Sequence, residues 1–342
     1  MTLVDIIRSL YGDGPVPLHR PLFAGDEKAR LIECIDSNFV SSAGELIGEF
    51  ESHVAAFTGA RHAVATVNGT AAIQVALRLV GVKPGDEVIT QAFTFVATAN
   101  AVAYTGAEPV FVDVDQDTLG LSPEALERFL ADAAVPAGEG PGVINRHTGR
   151  RIAAVLPMHT FGHVAHIDAI AEICQRYGLP LVEDAAEALG SWAGERHAGT
   201  TGRLGTLSFN GNKIITTGGG GMILTDDAEL AARAKHLTTT AKQPHAWAFV
   251  HDELGYNYRM PNLNAALGVA QMAQLPAMLV AKREVARRYA EFFADRSESF
   301  ITERPGTTVN YWLNAILVAD RAERDAVLEG TNAEGIMTRP GW

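Results

Sequence analysis

Cysteine is nearly missing from this chain: Cys34 and Cys174 are the two examples in 342 residues. Both sit in apolar stretches that read as helical, so no disulfide framework is indicated. Positive charge is scarce too. Twenty-eight Lys and Arg face 40 Asp and Glu, a formal net charge of −12, which argues against nucleic-acid or anionic-membrane partners. The opening MTLVDIIRSLYGDG lacks a basic region followed by an apolar core, and no window reads as a membrane span. The expectation is a cytoplasmic protein. Internal repeats and low-complexity tracts are also absent.

What remains is a globular composition, 47% hydrophobic and 20% charged. The length allows a large buried core and two domains rather than several. HAVATV, EVITQA, EPVFVDV, AAVLPM, LPLVED, TLSFN and GMILTD read as strands, with helical patterns between several of them. That alternation predicts an α/β fold with a mostly parallel seven-stranded sheet covered by helices on both faces. Residues 137–150 read as a glycine-rich surface excursion. Beyond about Leu237 the rhythm stops. PNLNAALGVAQMAQLPAMLVAKREVARRYAEFFADR reads as one or two long helices, and NYWLNAILVA as a strand of a smaller domain. The expected division is a large domain over 1–240 and a small α+β domain over 241–342, with the amino-terminal segment able to pack on the latter.

Three segments carry chemistry. In LGTLSFNGNKIITTGGGGMILTDD, residues 204–227, a strand bearing Ser208 leads to a turn presenting Lys213, then to the glycines 218–221 and another strand. Glycines permit unusual backbone and close approach. Apolar neighbours suggest a half-buried lysine, which loses its proton readily and becomes nucleophilic. A snorkelling lysine at a strand end is the alternative. In LPLVEDAAEALGS, residues 179–191, Asp184 ends an apolar strand, where open α/β sheets keep their ligand sites. A strand-tip carboxylate and a poised lysine are the pair a pyridoxal-phosphate enzyme needs, one for the ring nitrogen and one for the Schiff base. Asp184 also suits the N-cap of a helix AAEALGS. In ARHAVATVNGTAAIQVALRLVGV, residues 60–82, Asn68, Gly69 and Thr70 fall where a helix begins, a setting that suits a phosphate.

Metal ligation is the competing chemistry. His159, His163 and His166 have a spacing that suits zinc, but Gly162 places them in a loop and no neighbouring glutamate supplies a base. Asp113, Asp115 and Asp117 lack the glycine and glutamate of a calcium loop. No metal is expected.

NGTAA, TFVATANAV, MHTFGH, VEDAAEALGS, SFNGNK, GGGGMI and GYNYRMPNLNAALG together span most of the chain. In that order they resemble the sugar-aminotransferase family of the fold-type-I pyridoxal-phosphate enzymes. The stretch from VPLHRPLFAGDEK to GEFE, with HLTTTAK and NYWLNAI, is similar to the subgroup that aminates C4 of UDP-4-keto-6-deoxy-N-acetylhexosamines in legionaminic-acid and bacillosamine-type pathways. The resemblance implies a homodimer with shared active sites, pyridoxal 5′-phosphate as cofactor and L-glutamate as amino donor. It makes Lys213 the Schiff-base lysine and proton carrier, and Asp184 the partner of the pyridinium nitrogen. Glu187 would hydrogen-bond near the phenolic oxygen, and Phe95 would stack on the ring. Gly69, Thr70 and Ser208 would hold the phosphate, with Asn257 reaching it from the neighbouring subunit.

Other roles stay open at this stage. Phe95 fits the core as well, Thr70 a cap, Ser208 a polar strand end and Asn257 a turn. Arg259 fits substrate binding or an interface salt bridge, His159 a cofactor neighbour or a buried structural histidine, and Lys242 a sugar-nucleotide contact or a solvated lysine. A C3 aminotransferase, one for another nucleotide sugar, or a noncatalytic cofactor-binding relative are the alternative functions. Family members continue beyond the position of Trp342, so the small domain is expected to be incomplete.

Overall fold

The computed structural model describes residues 2–137 and 142–342; positions 138–141, within the predicted excursion, lie outside them. Three helices come first, α1 (Leu3–Tyr11), α2 (Glu27–Asp36) and α3 (Leu46–Thr58). Strand–helix units follow: β1 (His62–Thr66), α4 (Gly69–Leu79), β2 (Glu87–Gln91), α5 (Val96–Tyr104), β3 (Glu108–Val112) and α6 (Pro123–Ala133). Ser122 caps α6 by accepting from Ala125 N, and Pro123 occupies its first turn. A hairpin of β4 (Ala134–Pro136) and β5 (Val143–Asn145) then leads to β6 (Arg151–Leu156), α7 (Ile167–Tyr177) and β7 (Val182–Asp184). Thus part of the expected surface excursion is strand, paired antiparallel with β6.

Short strands β8 (Trp192–Ala193) and β9 (Arg196–His197) precede β10 (Leu204–Ser208), β11 (Gly221–Thr225) and α8 (Ala228–Thr238). All seven predicted strands form. β3, β2 and β6 pair in parallel, as do β7 and β10. Parallel bridges Val155–Leu181 and Met158–Asp184 join the two groups. β11 runs antiparallel between β10 and β1. Alternate strand residues feed opposite cores. Val64, Val88 and Ile223 pack with α4, α5 and α8, whereas Ala65, Ile89 and Met222 pack toward α3, α6 and α7.

The carboxyl-terminal part departs further from expectation. α9 (Asn262–Phe293) is one continuous helix of 32 residues that includes Pro276. An 18-residue window of it has mean hydropathy 1.3, long and apolar enough to span a bilayer, which corrects the sequence-based view. This helix packs inside the protein instead. Gly268 faces the ring of Phe50, and Gln271 and Gln274 donate to Glu27 at 2.6 and 2.5 Å. After α9 come β12 (Ser299–Phe300), β13 (Thr307–Thr308), β14 (Ile316–Leu317) and α10 (Arg321–Ala333). NYWLNAILVA therefore supplies just a two-residue strand, paired with β12. α1 packs through Ile6 and Ile7 against Ile336, Tyr289 and Phe292.

Candidate active site

The turn between β1 and α4 is shaped from below by glycine. Asn68 caps α4, its Oδ1 accepting from Ala71 N at 2.8 Å, and the N–H groups of Gly69 and Thr70 lie in the first turn, beyond reach of any helical carbonyl. A Cβ on Gly221 would come 2.4 Å from the carbonyl carbon of Asn68 and 2.7 Å from Gly69 N. A Cβ on Gly69 would lie 3.0 Å from Ser208 Cβ. Thus the glycine run brings β11 flush against the helix start, with the Ser208 side chain beside it. Gly218, at φ +78°, supplies the left-handed turn that returns the chain from the lysine loop.

Lys213 sits in the turn between β10 and β11, its side chain 12% exposed. Nζ donates to Glu187 Oε1 at 3.1 Å and lies 4.0 Å from the centroid of the Trp312 ring. Glu187 also accepts from Phe161 N at 2.9 Å. Burial pushes its carboxyl up to about 7 against the opposing pull of Lys213. Residues 185–191 do not form the helix that was the alternative setting for Asp184. The carbonyls of Glu187 and Leu189 are taken instead by Asn310 Nδ2, at 2.8 and 2.9 Å, and the Gly190 amide by His197.

Asp184 ends β7 and is 2% exposed. Oδ2 accepts from Thr98 Oγ1 at 2.7 Å and Oδ1 from Ala186 N at 3.1 Å. Burial raises this carboxyl, and the carboxylate makes no direct ion pair among the described residues. Such a group has lone pairs left for a cationic donor.

Other predicted residues divide. Phe95 is 44% exposed beside Trp342, so it is not core. Asn257 is exposed in the single chain. Lys242 lies 3.7 Å over the Phe249 ring. His159 is fully buried, with Nε2 2.9 Å from Glu183 Oε2 and Nδ1 accepting from Ala165 N at 3.1 Å. Both ring nitrogens are thus engaged, as in a buried structural histidine. Arg259 is paired within the chain, with Glu51 and the Ala65 carbonyl. The three histidines diverge: His163 packs on Tyr311 and His166 meets Asp117. Thr98 and Trp312 were missed, although both lie in stretches that carried the resemblance.

Comparison with known proteins gives the family. The DegT/DnrJ/EryC1/StrS aminotransferase family matches residues 22–342, and the chain belongs to it. It is 37% identical over 326 residues to "Putative pyridoxal phosphate-dependent aminotransferase EpsN" of Bacillus subtilis, covering 95% of this chain and 81% of that protein. A GDP-perosamine synthase of Caulobacter vibrioides is 36% identical, over 94% and 82%. Among solved structures, the aminotransferase TlmJ of Streptoalloteichus hindustanus aligns with TM-score 0.86 and 30% identity, over 96% and 85%. The cofactor of this family is pyridoxal 5′-phosphate, and the fold is that of its aminotransferases.

Proposed function

We propose that this chain transfers an amino group from L-glutamate to the keto carbon of a nucleotide-linked 4-keto-6-deoxy sugar, first among them UDP-2-acetamido-2,6-dideoxy-hexos-4-ulose. The observation that carries the reading is the half-buried Lys213 with the buried carboxyls of Glu187 and Asp184. The cofactor supplies an electron sink for the carbanion formed at the donor's α-carbon. Asp184, a buried carboxylate without an ion-pair partner among the described residues, fits a protonated ring nitrogen. Gly69, Thr70 and Ser208 fit a phosphate at a helix start. Phe95, exposed on the neighbouring turn, fits a ring face. Lys213 Nζ carries the proton at the donor's α-carbon, and Glu187 sets its charge and direction.

The same reading makes the protein a cytoplasmic homodimer in which Asn257 of the partner subunit completes the phosphate site. Exposed Leu22, Phe23, Ile32, Ile35 and Phe39 support a covered apolar face. Residues 1–240 would form the cofactor-binding unit and 241–342 a smaller one, whose α9 packs against α2 and α3 of the first. A second reading, a GDP-linked sugar, is favoured by the relatives named GDP-perosamine synthase. Incubation with glutamate and a panel of UDP-, GDP- and dTDP-linked keto sugars tests both, the product being identified by mass and NMR. Lys213→Ala should lower turnover about 10³-fold or more; unchanged turnover would refute the lysine's role. A visible cofactor band inert to every amino donor would favour a noncatalytic relative.

A further inference from the structure

Trp312, which meets Lys213, also engages a second amine with no role assigned above. Lys282, half-buried on α9, donates from Nζ to Trp312 O at 2.9 Å and makes no ion pair among the described residues. The same tryptophan carries Lys213 over its ring at 4.0 Å. Trp312 is itself pinned, with Nε1 donating to Asn212 O at 2.5 Å and its amide to Asn310 Oδ1 at 2.9 Å. One anchored residue therefore meets both amines, Lys282 through its backbone carbonyl and Lys213 through its ring. His19, from the extended segment ahead of α2, lies within electrostatic reach of both lysines, and its buried Nδ1 has no hydrogen-bond partner.

Two amines that share Trp312, one of them met by a carbonyl and by no carboxylate among the described residues, form a site short of one negative charge. Burial lowers Lys282 to about 8. Burial, with the two lysine charges, holds His19 down at about 3, so its ring stays neutral and offers a hydrogen bond without further charge. A lysine is a point charge suited to a compact anion, whereas a diphosphate is better met by several donors or an arginine fork. A donor amino acid carries its carboxylate on the carbon next to its reacting amine. An acid group held at Lys282 would therefore leave that amine facing Lys213.

We propose that Lys282, with His19, binds a carboxylate of the amino donor beside Lys213. This rests on the aminotransferase reading and adds the donor subsite to it. The test is calorimetric titration of the holoenzyme with glutarate, a dicarboxylate with no amine, and in parallel with UDP. Lys282→Met should weaken glutarate about tenfold or more, Lys282→Arg should keep it within about threefold, and UDP should change by less than about twofold in both. If Lys282→Met does not fold, Lys282→Gln is read the same way. Undiminished glutarate affinity without the charge, absence of glutarate binding to the wild type, or a loss that falls on UDP instead would each overturn the proposal. Bleaching of the cofactor's visible band by L-glutamate in the wild type tests the underlying reading separately, because glutarate cannot react.

Discussion

At the residue scale the unusual group is Glu187. Its side chain is 1% exposed, and its carboxyl is pushed from 4.5 to about 7, chiefly by burial, while Lys213 pulls the other way. Between these two values the folded protein holds more of this proton than the unfolded chain does. The stabilising contribution is therefore fully present below 4.5 and is lost as pH rises through 7. The span corresponds to at most about 3 kcal/mol. Glu187→Gln removes the titration while keeping the shape. Urea unfolding of the cofactor-free variant should show a smaller fall in stability between pH 5 and pH 8 than the wild type shows. Equal slopes would assign the pH dependence to other groups.

At the scale of elements, Gly221 acts on the helix start while Gly218 shapes the lysine loop. A Cβ on Gly221 meets backbone atoms of Asn68 and Gly69 under 3.0 Å, whereas one on Gly211 meets nothing within 4 Å. Gly221→Ala should fold yet bind pyridoxal phosphate about tenfold or more weakly in an absorbance titration, because the N–H groups of the turn must shift. Gly211→Ala should bind it as the wild type does. Equal affinities would detach the glycines from the phosphate. The turn was legible in the sequence because strand, Asn-Gly and amphipathic helix follow one another within a single window. The seven strands were legible as short apolar runs bounded by turns. The helical alternative for AAEALGS rests on local propensity, while the two Asn310 hydrogen bonds that divert its carbonyls come from far along the chain. Thr98, Trp312, Lys282 and His19 escaped for the same reason. Each meets the site through tertiary packing, and no spacing in the sequence records it.

For the whole molecule, the question is whether one chain contains a complete site. Asn257 stands exposed in the single chain, whereas Asp184 lies buried in it and Lys213 half-buried. If the phosphate site is completed across a two-fold interface, Lys213→Ala and Asn257→Ala damage different halves of each site. Each homodimer then carries two defective sites. A mixed dimer carries one site with both lesions and one with neither. Random pairing of equal amounts should restore about a quarter of the sites. Activity should therefore reappear when the two weak variants are unfolded and refolded together, and should not reappear when they are mixed without subunit exchange. A chain that works alone gives no recovery in either protocol, and light scattering would then report a monomer or an interface remote from Asn257.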